Sequence, residues 1–207
     1  MNNKIDDGLQ VTPDWQKMGH LLPCVVQNAH NGMVLMLGYM NQEALNVTRS
    51  KGFVTFYSRS RDCLWTKGET SGNKLQVVSL ELDCDRDAIL VRADPKGPTC
   101  HKGVDSCFSG DYKSALGFLG DLDTLLTQRY LDRPPGSYTT SLFDAGIHRM
   151  AQKVGEEGVE VALAAKDDDA DAFLGESADL LFHLMVLAKG KGHSLQDILQ
   201  VLQDRHS

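Results

Sequence analysis

No apolar run in this sequence approaches the length needed to cross a bilayer. The nearest, Ala178 to Ala188, is interrupted by Asp179 and His183. Residues Met1 to Gly8 include two acids and no apolar core, so a secretory leader is not expected, and the reading is a cytoplasmic protein with no membrane partner. The chain lacks internal repeats and low-complexity segments. Cysteine is scarce and odd in number: five thiols cannot all pair, and a disulfide framework is not expected in a reducing compartment. Basic residues are also in deficit. Among 207 residues, 21 Lys and Arg stand against 28 Asp and Glu, a net charge of −7. The deficit is local: residues 1–110 hold 12 basic and 12 acidic side chains, residues 111–207 hold 9 and 16. An acidic half argues against a nucleic-acid partner, and an enzyme acting there on an anionic substrate needs a cation as mediator.

What is present suits packed cores: 42% hydrophobic and 24% charged residues. The first half reads as short strands. Residues 21–27 and 34–37 flank His30-Asn31-Gly32 as a hairpin, and residues 53–58, 75–82 and 88–92 are β-rich. Asn41 is placed to cap a short helix opening at Gln42. From Ser114 the period becomes helical, with helices expected over 114–131, 141–165, 169–189 and 195–204, and Ser194 with Asp197 resembles a capping box. Strands followed by helices imply two domains, 1–112 mostly β (α+β) and 113–207 all-α, joined around Ser109-Gly110-Asp111.

Three constellations bear chemistry. The first is Asp83-Cys84-Asp85-Arg86-Asp87 with Cys100 and Cys107. If 83–87 is extended, Asp83, Asp85 and Asp87 share one face and suit magnesium, a hard cation that takes oxygen ligands. Cys84 then points to the other face, free to join Cys100 and Cys107 around zinc. Three protein ligands leave an open position, the mark of a catalytic site. His101 is either a fourth ligand or a general base. Cys24 and Cys63 read as ordinary thiols. A solvated turn with buried thiols is the plainer alternative for any one of these residues, but not for the combination.

The second is Trp65-Thr66-Lys67-Gly68-Glu69-Thr70-Ser71-Gly72-Asn73, preceded by Arg59 and Arg61. Backbone N–H groups of such a loop can cradle a phosphate, with Lys67, Arg59 and Arg61 supplying charge; a plain surface hairpin is the competing reading.

The third is Glu156-Glu157-x-x-Glu160 with Glu176-x-x-Asp179. Glu157 and Glu160 align on one helix, and Glu176 and Asp179 on the next. Packed antiparallel, the two helices bring four carboxylates together amid apolar flanks, where magnesium removes the cost of burying unpaired charge. Lys153 lies one turn before Glu157. His183 lies one turn after Asp179, but a lone helical histidine is more often packed or solvated, so it is not counted among the ligands.

These segments resemble known families. Residues 20 to about 110 resemble phosphoribosyl-AMP cyclohydrolase, through residues 34–41, 56–61, 64–73 and 83–87, Pro98-Thr99-Cys100-His101 and Ser106-Cys107-Phe108. Residues from about 116 to 206 are similar to phosphoribosyl-ATP pyrophosphohydrolase, a relative of the MazG-type pyrophosphatases, through Pro135-Gly136-Ser137-Tyr138-Thr139, Lys153 to Glu160 and Glu176 to Leu181. The resemblance implies a bifunctional hydrolase of histidine biosynthesis. Magnesium at Glu157, Glu160, Glu176 and Asp179 would serve pyrophosphate release, with Lys153 in support. Water activated at zinc would then open the adenine ring between N1 and C6, with His101 as proton carrier and Arg59, Arg61, Trp65, Lys67, Gly68, Ser71, Gly72 and Asn73 binding substrate. It also implies a homodimer, with Cys84 offered to the partner subunit's zinc and magnesium at Asp83, Asp85 and Asp87. The competing expectations are a MazG-like housecleaning pyrophosphatase with a structural zinc dimerisation module, or a zinc dimeriser with no turnover.

Overall fold

The computed structural model describes residues 6–7, 12–108 and 115–206. The expected joint at 112/113, around Ser109-Gly110-Asp111, lies outside the described residues. The chain divides into two compact units, residues 1–117 and 118–207.

The first unit is sheet-rich. It holds β1 (Asp6–Asp7), β2 (Leu22–Asn28), β3 (Val34–Met40), α1 (Gln42–Lys51), β4 (Thr55–Ser58), β5 (Cys63–Thr66), β6 (Leu75–Leu82) and β7 (Ile89–Pro95). Five strands make one mixed sheet in the order β1-β6-β7-β2-β3, and β4 and β5 pair separately. Strand alternation builds the core: Leu22, Cys24 and Val26 of β2 face inward with Ile89, Val91 and Ala93 of the parallel β7. The expected hairpin is present as β2 and β3, antiparallel from Leu22–Met40 onward. Asn41 caps α1, its side chain accepting from Ala44 N–H at 2.8 Å, and Gly52 ends the helix in the left-handed region at φ 72°. Buried Phe56 lies against β3, where a Cβ on Gly38 would come within 2.4 Å of its ring, so that position requires glycine. The β-rich run 53–58 is a strand only from Thr55, and Trp65 and Thr66 belong to β5 rather than to the loop that follows.

The second unit, as described, is all-helical: α2 (Ala115–Asp132), α3 (Tyr138–Ala145), α4 (Ile147–Ala164), α5 (Ala170–Gly190) and α6 (Leu195–Asp204). Leu126, Leu142, Phe143, Met150, Met185 and Val186 form its core. The single helix expected over 141–165 is two helices. Gly146, at φ 84° and ψ −179°, closes α3 and opens α4, a conformation a side chain resists. Helices α4 and α5 form a hairpin around a short polar turn, with Asp169 capping α5 through Ala172 N–H at 3.0 Å. That turn sits midway between Glu157 and Glu176–Asp179, so antiparallel packing sets the acids level.

Candidate functional site

In the first unit, residues 83–87 are not extended. They form the tight turn between β6 and β7: Asp83 Oδ1 accepts from the N–H groups of Asp87 and Ala88, both at 3.0 Å, and Arg86 takes φ 64°. The alternation argument therefore fails, because the turn's hydrogen bonds replace the pleat. The turn still gathers the acids: Asp83, Asp85 and Asp87 each offer a carboxylate oxygen, all within 4.8 Å of one another. Lys17, which the sequence reading passed over, bridges Asp85 and Asp87, at 2.7 Å from Asp87. Its hydrogen bond holds the Asp85 carboxyl below the usual range, against a smaller effect of desolvation. A monovalent cation thus already sits among these carboxylates, whose oxygens are also the donor type a hard divalent ion takes.

The thiols are placed unequally. Cys100 is buried and Cys107 lies beside it. Desolvation first, then the neighbouring Cys100, pushes the Cys107 thiol up, and the Lys67 ammonium acts against both. The strand β3 clamps this segment: Cys107 N–H donates to Leu35 O at 2.7 Å and the Ser106 hydroxyl to Val34 O at 2.8 Å. Cys84 is exposed, and among the described residues it forms no three-ligand group with Cys100 and Cys107 within one chain. His101 is exposed, its Nδ1 3.8 Å from Cys100 Sγ.

The loop after β5 is locked from within. Lys67 N–H donates to Val54 O, Glu69 N–H to Thr66 O, Gly72 N–H to Gly68 O, Asn73 N–H to the Ser71 hydroxyl and Lys74 N–H to Gly72 O. These bonds engage the amides of Lys67, Glu69, Gly72, Asn73 and Lys74 and fix the shape of the loop. A Cβ on Gly68 would meet the Asn73 backbone at 2.3 Å, and one on Gly97 the Asn73 side chain at 2.5 Å, so two glycines hold Asn73 in place. Nearby, an open cleft of about 540 Å³ is lined by Tyr39, Phe56, Tyr57, Arg59 and Trp65. The Arg59 guanidinium lies 3.8 Å from the Tyr39 ring centroid, and the rings of Phe56 and Trp65 are 5.1 Å apart. Arg61 is exposed beside it in sequence.

In the helical unit, Glu157 of α4 meets Glu176 and Asp179 of α5, with ligand oxygens all within 4.8 Å. Glu157 is only 4% exposed. Lys153, one turn earlier, reaches Glu157 Oε1 at 2.5 Å and Glu156 Oε2 at 3.0 Å. Its hydrogen bond holds the Glu157 carboxyl below the usual range despite burial. Glu160 is hydrogen-bonded to Glu157 and is pushed up by it, so the two share one negative charge more readily than two. Glu160 thus adjoins the cluster through Glu157. His183 is 4% exposed and lies against the same Glu157.

Among the described residues no helix is long and apolar enough to cross a membrane. The phosphoribosyl-AMP cyclohydrolase family matches residues 36–109, and the phosphoribosyl-ATP pyrophosphohydrolase family residues 119–206. The chain is 59% identical to the histidine biosynthesis bifunctional protein HisIE of Xanthomonas axonopodis pv. citri over 196 residues, 94% of this chain and 93% of that one. It is 50% identical over 204 residues to the protein of the same name from Photobacterium profundum, covering 96% of this chain and 99% of the relative. With the Xylella fastidiosa (strain Temecula1) protein of that name the identity is 56% over 194 residues, 93% and 92% of the two chains.

Proposed function

The chain belongs to the bifunctional histidine-biosynthesis proteins that join a phosphoribosyl-AMP cyclohydrolase to a phosphoribosyl-ATP pyrophosphohydrolase, and from that premise we propose that its acidic clusters and paired thiols are the metal-binding parts of two separate active sites. The observation that carries this reading is the meeting of buried Glu157 with Glu176 and Asp179, since three carboxylates so close carry more negative charge than the one Lys153 ammonium offsets.

In the helical domain, which we read as MazG-type, Glu157, Glu176 and Asp179 would hold magnesium with Glu160 adjoining. Magnesium there supplies charge neutralisation for the triphosphate. Water attacks at phosphorus, the bond between the first and second phosphates breaks, and pyrophosphate leaves. Lys153 keeps Glu157 ionised and fixes its orientation. Glu160, in contact with Glu157, is placed to join it around the ion.

In the sheet-rich domain, Cys100 and Cys107 would hold zinc with Cys84 from a second subunit, which makes the enzyme a homodimer with zinc near its interface. Exposed Cys84, apart from the other two in one chain, supports that arrangement. Zinc so held supplies a water whose pKa falls to about 7. Water adds at C6 of the adenine ring and the N1–C6 bond opens. His101 is the side chain placed to carry the proton. Lys67, Arg59 and Arg61 bind the substrate's phosphates, and Trp65 lines the cleft that takes its base. Asp83, Asp85 and Asp87 would hold a second magnesium that orients phosphate. The substrates are small nucleotides, the partners include no nucleic acid, and five unpaired thiols suit the reducing cytoplasm.

The test supplies phosphoribosyl-ATP with both metals and follows pyrophosphate and ring-opened product separately. Glu157→Gln should stop pyrophosphate release yet still open supplied phosphoribosyl-AMP, and Cys100→Ser should do the reverse. A Cys100→Ser protein that opens the ring at the wild-type rate would remove the zinc assignment.

A further inference from the structure

We propose that His183 is a positioning residue of the helical acid site: with Lys153 it holds one oxygen of Glu157, so that the other is presented to the cation shared with Glu176 and Asp179. This rests on the reading of that cluster as a metal site.

The geometry is specific. His183 follows Asp179 by one turn of α5 and so shares its face. Its Nε2 lies 3.8 Å from Glu157 Oε1, the same oxygen that Lys153 contacts at 2.5 Å. Two groups on opposite elements thus address one carboxylate oxygen. The same Nε2 lies 3.4 Å from the Tyr138 hydroxyl. At 3.8 Å the approach to Glu157 is a contact and not a hydrogen bond; with its hydrogen on Nε2 the imidazole turns a donor toward the carboxylate, which only accepts. The imidazole plane is fixed edge-on by Tyr138 and Phe182, with centroids 6.1 and 5.2 Å away.

The other nitrogen strengthens the argument. Nδ1 is buried and has no hydrogen-bond partner among the described residues. A leucine would fill the space between α3, α4 and α5 without that penalty. The other nitrogen, Nε2, faces both the Tyr138 hydroxyl and Glu157. Ligand-orienting partners of this kind are common around metal carboxylates, and their loss typically weakens metal binding by about 10- to 100-fold.

The experiment titrates the full-length protein with Mn²⁺, read by electron paramagnetic resonance, and measures pyrophosphate release against Mg²⁺ concentration. Glu157→Gln identifies which Mn²⁺ site is the helical one. His183→Leu should weaken that site by about tenfold and raise the Mg²⁺ concentration for half-maximal rate, with little change in kcat at saturating Mg²⁺. His183→Gln, which restores an N–H donor, should recover most of the affinity. Ring opening of supplied phosphoribosyl-AMP should be unchanged in both, and an unchanged far-ultraviolet circular dichroism spectrum shows that the helical unit is folded. Wild-type Mn²⁺ affinity in His183→Leu, or a loss in His183→Gln equal to that in His183→Leu, overturns the proposal. If Glu157→Gln itself binds Mn²⁺ like wild type, the reading of the cluster as a metal site fails instead.

Discussion

The ammonium of Lys17 lies between the carboxylates of Asp85 and Asp87, 2.7 Å from Asp87, across 68 residues of sequence from Asp85. The segment is tethered to the turn it neutralises, since Asp14 N–H donates to Arg86 O at 2.8 Å. Lys17 also lies outside residues 36–109, where the cyclohydrolase family matches. A divalent ion entering at Asp85 and Asp87 has to displace a resident monovalent one. Lys17→Met should therefore tighten Mn²⁺ binding at the 83–87 turn. Exposed ion pairs are weak, so the gain should be about two- to fivefold. Calorimetric titration of Lys17→Met in a Glu157→Gln background reads this directly. Equal affinities would mean that the lysine swings aside freely.

Gly68 and Gly97 converge on Asn73 from two sides, and neither has room for a Cβ. Gly68 also sits at φ 79°, so Gly68→Ala combines backbone strain with a clash against main-chain atoms that cannot swing away. The loop carries Lys67, which acts on Cys107. We expect Gly68→Ala to lower ring opening at least tenfold while pyrophosphate release holds, because the damaged loop belongs to the other unit. Parallel assays of the two half-reactions check it; equal losses in both would point to general misfolding.

Much of this was legible because it depends on near neighbours in sequence. The apolar runs at 21–27 and 34–37 around His30-Asn31-Gly32 predict the hairpin that β2 and β3 form, Asn41 caps α1 as read, and Ser194 with Asp197 forms the capping box. Spacing alone aligns Glu176 with Asp179, and the short helix-to-helix turn brings Glu157 to them. What escaped depends on contacts without a local signature. The 83–87 turn follows from Asp83 accepting two backbone N–H groups, which alternation does not register. Lys17 approaches from a distant segment. His183 offered one visible signal, its one-turn spacing from Asp179, but burial against Glu157 is decided by packing.

Gly146 was read as the interior of a long helix, yet it separates α3 from α4. Space is not the constraint there, since a Cβ would meet nothing within 4 Å. The constraint is φ 84° with ψ −179°, a region nearly reserved for glycine. Gly146→Ala should destabilise the helical unit by about 1–3 kcal/mol. Urea unfolding followed by far-ultraviolet circular dichroism measures the helices, and fluorescence measures the other unit, which holds both tryptophans, Trp15 and Trp65. A shift in both signals together would show that the effect is not confined to the helical unit.

Asp197 gives a pH dependence whose sign can be worked out. The Ser194 backbone N–H donates to its carboxylate at 2.7 Å, and that bond above all holds its pKa below the ordinary value. The folded state therefore favours the ionised form more than the unfolded chain does. The stabilisation is complete above the usual carboxylate range and disappears as pH falls through the lower folded value. Asp197→Asn removes the charge and weakens the cap of α6, so it should be less stable than wild type at neutral pH. The gap between the two proteins should narrow progressively below about pH 4, where wild type loses what the variant never had. Urea midpoints at several pH values, read from the helical signal, test it. A gap that stays constant into acid would mean that the side chain caps the helix by shape and neutral hydrogen bonding, with its charge contributing nothing.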